Sequence, residues 1–313
     1  NSPVAKENWS FANLFKILTQ SATQNDLRQF TNLWLNQWDH VKFINSYPVT
    51  TLDPKNLVRF WPTKNNSVNY EDSPFLLSAI LYRPDLFDQS KAGEFRLVFT
   101  GYDKVAAVPL QMTAIFEFNI PKAFGKVVRD KFINLSQLNF GSKFNQELNE
   151  LFNLLATAQS FSQLRVNDFV LNGVWDLREF KLVNKQLKMV TTAQTPAFEV
   201  SEARLLNEVL ANREAILENR YILKDKFTGG MALMPSEDFL WLENVNMDHK
   251  LKVAFSMMTC NGCHAGATET RFAHIEPREI GLEAQTSVYL QTEVKKRAQY
   301  IQDLGNNRRA HHY

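Results

Sequence analysis

The stretch that decides the fold is GEFRLVFTGYDKVAAVPLQMTAIFEFNIP, residues 93–121. Phe95, Leu97 and Phe99 alternate with Arg96 and Val98. Met112, Ala114, Phe116 and Phe118 alternate with polar neighbours until Pro121 closes the run. A period of two sends successive side chains to opposite faces, so the pattern predicts an antiparallel sheet with one buried face. Gly101-Tyr102-Asp103 and the small residues after it mark the turn between the two strands.

Working outward, Phe75 to Leu81 is a continuous apolar run of strand length. Residues 123–158 switch to a helical period, with Leu148, Leu151, Phe152 and Leu155 on one stripe. A second strand group follows: Leu164, Val166 and Val170; Leu177, Phe180 and Leu182; and Leu187 to Thr192. Asn184-Lys185-Gln186 reads as a three-residue hairpin connection without the glycine such loops prefer. Helix is predicted after Ser201 through Leu205, Leu206, Val209, Leu210 and Leu217, before Gly229-Gly230 breaks the chain.

Towards the N-terminus, Trp9, Phe11, Leu14, Phe15 and Leu18 recur at helical spacing. Asp26 is placed to cap a second run through Phe30, Leu33, Trp34 and Trp38. A third short helix follows Asp53-Pro54 with Leu57, Phe60 and Trp61. The last quarter is helical around two cysteines and again from about Leu282 to Leu304, and a basic tail runs on from there. The fold class is therefore α+β: antiparallel sheet with N-terminal helices and a C-terminal helical segment that carries the cysteine motif. Without repeats or a Gly/Ser linker, residues 1–313 read as one domain. A helical part spans about 1–70, a sheet-rich middle 74–200 and a helical part 201–313.

With 44% hydrophobic residues the chain can bury a large core, and its 24 Phe and six Trp read as bulky core material. Thirty-five basic against 33 acidic residues leave a net charge of +2, too little to steer nucleic acid or an anionic membrane. No apolar run reaches the roughly eighteen residues of a membrane span. No basic-then-apolar leader opens the sequence, which leaves either a leader never present or one already removed.

The two cysteines fall three apart with a histidine directly after them, in Cys260-Asn261-Gly262-Cys263-His264. Cys-x-x-Cys-His is the attachment signature of c-type haem. Two thiols on one helical turn reach the vinyl groups of one porphyrin, and the following imidazole reaches the iron from the same side. On this reading Cys260 and Cys263 form thioethers and His264 is the proximal metal ligand. His274 is the preferred second ligand, with Met231, Met234, Met247, Met257 and Met258 as alternatives, and Arg278 is placed to meet a propionate. In the plain alternative, His274 hydrogen-bonds a backbone carbonyl.

Three rival readings of the motif stay open. Cys260–Cys263 is a small disulfide in a protein without cofactor; or the pair is a redox dithiol, which wants a βαβ setting that the sequence does not offer. In the third, zinc is held by both cysteines and two of His264, His274 and His249. Glu269 and Glu276 suit acid–base work only if buried, and tail residues His311 and His312 are further metal candidates. No nucleophile elbow, phosphate loop or zinc-protease helix motif occurs.

Segments along most of the chain, from Trp9 to Gln302, resemble a family of uncharacterised exported proteins and lipoproteins of Gram-negative bacteria. The residues that carry the resemblance are Trp9-Ser10-Phe11, Trp34 to Trp38, Pro74 to Ile80, Gly93 to Phe99 and Pro109 to Glu117. Trp175 to Phe180, Ala193 to Pro196, Thr259 to Gly266 and Phe272 to Arg278 complete the set. The chain departs from the family after Gly281, where a longer loop is usual, and has Ala267 where Glu is common. The resemblance implies export, to the periplasm, the outer membrane surface or the exterior, and hence an oxidising compartment. It implies no activity. Without an N-terminal cysteine it leaves lipid anchoring undecided. The expectation is an exported monohaem c-type protein that transfers electrons or carries haem structurally. The alternatives are a cofactor-free surface or assembly protein, with a protein partner left open, and a metal-binding protein. Whether it is an enzyme stays open.

Overall fold

Alternating apolar and charged residues build a meander that is covered on both sides. A computed structural model describes residues 9–21, 23–171, 173–270 and 273–305 of the chain. The strands are β1 (Phe75–Phe87), β2 (Lys91–Asp103), β3 (Val108–Pro121), β4 (Phe161–Asp168), β5 (Trp175–Val183) and β6 (Gln186–Val190). They lie side by side in sequence order, every pair antiparallel. A seventh strand, β7 (Ala232–Met234), pairs with the first residues of β5, where β6 no longer reaches.

One face carries the expected apolar core. Phe95, Leu97 and Phe99 of β2 join Ala114, Phe116 and Phe118 of β3, Leu164 and Val166 of β4 and Phe180 of β5. Helices α1 (Phe11–Thr19) and α2 (Gln24–Leu35) lay their aromatic rings on it. Phe11 stacks on Phe75 at 4.6 Å and meets Phe116 edge-on at 5.3 Å, and Trp38 stacks on Phe180 at 4.8 Å. Helices α3 (Gly125–Ser136) and α4 (Ser142–Leu155) add Val128, Leu135, Leu148, Leu151, Phe152 and Leu155 to the same core. The ring-rich composition is core, as its spacing implied.

The other face was expected in water, and it is not. Glu94, Glu117 and Glu179 are buried there, Glu117 and Glu179 at only 1% exposure each. Buried carboxylates need partners, and the strand register supplies them. Arg96 pairs with Glu94 at 2.6 Å and with Glu117 at 3.2 Å; Arg165 pairs with Glu117 at 3.3 Å and with Glu179 at 3.0 Å. This ladder of alternating charge crosses β2 to β5 under the C-terminal quarter of the chain.

That quarter brings α5 (Glu202–Ala211), α6 (Arg213–Leu217), α7 (His249–Met257), the single turn α8 (Cys260–Cys263) and the terminal α9 (Val288–Gly305). Leu205, Val209, Ile216, Trp241, Leu251 and Phe255 form its own apolar cluster.

Several local expectations are corrected. Gly101-Tyr102-Asp103 is strand, and the turn comes at 104–107, where Asp103 Oδ1 accepts from the N–H groups of Val105 and Ala106. The β5–β6 connection has two residues, Asn184 and Lys185, at φ of 51° and 58°. Two left-handed residues in succession are the signature of the hairpin turn whose twist matches the strands, and asparagine enters it without glycine. Asn45-Ser46 and Asn65-Asn66 do the same in two small hairpins within the N-terminal region read as helical. Thr23, not Asp26, caps α2, its hydroxyl accepting from the Asp26 N–H at 3.1 Å. The terminal helix starts at Val288, where Ser287 Oγ accepts from the Leu290 N–H at 3.1 Å. The run after Ser201 breaks at Asn212, whose amide donates to the Glu208 carbonyl. Among the described residues no helix is long and apolar enough to cross a membrane.

Candidate functional site

Thr259 organises the motif. Its hydroxyl donates to the Ser256 carbonyl at 2.7 Å and accepts from the Gly262 N–H at 3.1 Å, so α8 starts directly against the end of α7. The two residues between the cysteines point away from them, into protein. Asn261 is fully buried: its Oδ1 accepts from Trp241 Nε1 at 2.9 Å and its Nδ2 donates to the Leu233 carbonyl at 2.9 Å. Gly262 rests on the Ser256 backbone, where a Cβ has no room. With the middle of the turn pinned, Cys260 and Cys263 face the opposite way.

They face a cavity of about 350 Å³ between the charged side of the sheet and the C-terminal segment. Leu81, Val98, Ile115 and Leu177 supply apolar sheet wall. Trp175, His264, His274 and Tyr289 add rings, and Met112, Met257 and Met258 add thioethers. Four arginines, Arg83, Arg96, Arg165 and Arg297, also line it, against one lining acid, Asp168. A largely apolar cleft of this size with a few convergent polar groups is the usual form of a small-molecule or cofactor site. No family model, curated protein or solved structure matches this chain.

The two thiols are not bonded to each other. The Cys260 N–H donates to Thr195 Oγ1 at 2.9 Å, and Cys263 Sγ lies 3.5 Å from His274 Nε2. Burial pushes the Cys260 thiol up to about 11, Arg165 opposing it only in part. Burial, and then Cys260, pushes the Cys263 thiol up to about 12. Both are neutral thiols near pH 7. His274 is pulled down to about 3 by burial, with His264 and Arg297 adding to the effect. It is a neutral imidazole whose Nδ1 lies 3.1 Å from Ser287 Oγ, so its partner there is a hydroxyl and not a backbone carbonyl. The His264 ring packs between Trp175, at 4.8 Å, and His274, at 4.5 Å.

The structure thus brings Cys260, Cys263, His264 and His274 to one wall. It does not bring Arg278, which donates to the Leu282 carbonyl at 2.6 Å and does not line the cavity. Of the methionines proposed as ligands, Met257 and Met258 reach the cavity. Met231, Met234 and Met247 do not; Met231 sulfur instead accepts from the Thr50 N–H. Glu269 and Glu276 are exposed and do not line it. Among the described residues no three His, Cys, Asp or Glu side chains converge on a metal position, so His249 completes no zinc set. His311 and His312 lie outside the described residues. Sequence reasoning missed the four arginines and Trp175. The available signal was the charged half of the strand alternation, taken for a solvated face.

Asp168 gives this wall a pH dependence. Burial lifts its carboxyl to about 6, although its oxygens accept from the Val170 and Leu171 N–H groups. An acid with a raised folded value holds its proton better in the folded protein. Its contribution is therefore complete below the ordinary value of 3.8 and is lost as pH rises through about 6. Asp168→Asn keeps an acceptor for both N–H groups and removes the charge. The expected gain at pH 7 is about 2 kcal/mol, vanishing near pH 4, as read by urea unfolding at both pH values.

Proposed function

We propose that the protein is an exported monohaem c-type protein, with the haem bonded through Cys260 and Cys263 and His264 as an iron ligand. The observation that carries this reading is the convergence of both thiols and the adjoining imidazole on one large, mainly apolar cavity. The donor set fits the group. The sulfurs are unpaired with each other, they lie on the same turn, and the Asn261 side chain between them is turned into protein.

The desolvated thiols add a second argument. A redox dithiol needs a thiolate in the resting protein, which this pocket disfavours. Bonded to a porphyrin, Cys260 and Cys263 would both be neutral thioethers, which suits a pocket that disfavours charge on their sulfurs. When bound, haem supplies one-electron transfer. The protein's own residues wall the ring from water with Leu81, Val98, Ile115 and Leu177 and set the surrounding field with the arginines. His274, Met257 and Met258 are the side chains on hand for a second ligand. The touching His264 and His274 rings do not flank an open slot. Among the described lining residues the carboxylate, Asp168, is buried and held by two backbone N–H groups, so a carrier suits the site better than a catalyst. The export inferred from the family resemblance fits the compartment in which c-type haem is attached.

Expression with export in a host that matures c-type cytochromes tests the reading. The expected product is red, gains the mass of one haem, and shows a sharp reduced α-band. Cys263→Ser is expected to reduce covalent haem by at least tenfold. A colourless product two hydrogens lighter than the reduced chain overturns the proposal in favour of the disulfide.

A further inference from the structure

The four cavity arginines are not equivalent. Arg96 and Arg165 are spent within the sheet, each bridging two glutamates of the charge ladder. Arg83 of β1 and Arg297 of α9 meet where the terminal helix crosses the sheet edge, with Asp85 between them. Arg83 takes Asp85 in a forked contact, Nε at 3.0 Å and Nη2 at 2.7 Å. Arg297 is left with looser ion pairs: its Nε lies 3.3 Å from Asp85 Oδ1 without forming a hydrogen bond, and its Nη2 lies 3.5 Å from Glu293. Its exposure is only 9%, and it lines the cavity. A guanidinium carries five donors in a planar fork matched to a carboxylate, and Arg297, unlike Arg83, makes no forked contact. Burial and the neighbouring Arg83 both press Arg297 towards the uncharged form. An added anion would offset the repulsion from Arg83.

We propose that Arg83 and Arg297 form a carboxylate-binding subsite on the cavity wall, which takes the acidic groups of a flat apolar ligand. This rests on the haem reading, in which those groups are the propionates. Because Arg297 belongs to α9 and Arg83 to β1, an occupied subsite also fastens the terminal helix over the cavity.

The test uses the full chain made without haem maturation, titrated with metal-free deuteroporphyrin and with its dimethyl ester while Trp fluorescence is followed. Deuteroporphyrin lacks vinyl groups and iron, so neither thioether formation nor iron ligation contributes. The free acid is expected to bind about ten- to hundredfold more tightly than the ester. Arg297→Met is expected to remove most of that difference while leaving ester binding unchanged, and Arg297→Lys to restore part of it. Equal affinity for acid and ester in the unsubstituted chain overturns the subsite, whatever the variants do. If porphyrins fail to bind but a fatty acid binds in an Arg297-dependent way, the subsite stands and the haem reading falls. If mass spectrometry finds covalent haem and acid and ester bind alike, the haem reading stands and the subsite falls.

Discussion

Gly262→Ala is expected to destabilise the protein by about 3 kcal/mol and, on the haem reading proposed above, to abolish covalent attachment. A Cβ at this position would lie 2.2 Å from the Ser256 carbonyl oxygen, 2.6 Å from its carbon and 2.9 Å from its Cα. All three are backbone atoms at the end of α7, so no rotamer change makes room. The α7–α8 junction has to open, and with it the Thr259 bonds to Ser256 and Gly262 and the Asn261 bonds to Trp241 and Leu233. Those bonds aim the two thiols at the cavity, so stability and attachment fall together. Gly141→Ala is the control: its Cβ meets nothing within 4 Å, and at φ 166° the backbone is extended. It is expected to change stability by less than about 0.5 kcal/mol. Urea unfolding and intact mass on the two variants decide the matter. Full attachment with unchanged stability in Gly262→Ala sinks the account.

The role of Gly262 shows what a linear reading of the motif reaches and what it does not. Spacing alone reveals that two thiols and an imidazole share a turn. It does not reveal why the intervening residues are Asn and Gly, because their partners, Trp241, Leu233 and Ser256, are tertiary. The core face was legible for the opposite reason. Phe95, Leu97, Phe99, Phe116 and Phe118 announce a buried side through period two, and the helices' aromatic stripes announce what covers it. The second face misleads because Glu94, Arg96, Glu117, Arg165 and Glu179 look identical in sequence whether water or a charge ladder satisfies them. Only the register, with Arg96 opposite Glu117 and Arg165 opposite Glu179, distinguishes the two. The cavity was hidden by the same ambiguity. Arg278 is near His274 only in sequence, whereas the arginines at the cavity come from distant strands and the terminal helix.

Arg178→Met is expected to cost about 3–5 kcal/mol, the largest single-site effect on the sheet. Arg178 and Asp176, two apart on β5, pair at 2.7 Å with 1% of each side chain exposed. Arg178 also donates to the Thr50 carbonyl at 2.8 Å and lies over the Trp38 ring, tying the N-terminal region to the sheet. Its removal strands a carboxylate in the interior. The pair itself is incompletely satisfied, since Asp176 Oδ1 and Arg178 Nη1 lack hydrogen-bond partners. Burial outweighs Arg178 and raises the Asp176 pKa above its ordinary value. Two consequences separate this from loss of packing. Adding Asp176→Asn to Arg178→Met should recover at least about half of the loss, because the stranded charge is gone. The single variant should also recover as pH falls. An acid with a raised folded value stabilises the folded protein once it is protonated, and without Arg178 that value rises further. A double-mutant cycle in urea at pH 7 and pH 5 measures both. Additive losses that do not change with pH would show that Arg178 acts through its methylenes and its Thr50 bond alone. The result bears on the cavity as well, because the same strand carries Trp175 and Leu177 into the wall facing Cys260 and Cys263. A β5 held by a charge pair on one side carries the cavity wall on the other, so loss of the first is expected to shift the second. Arg178→Met is therefore expected to lower covalent haem in parallel with stability, while the double variant restores both.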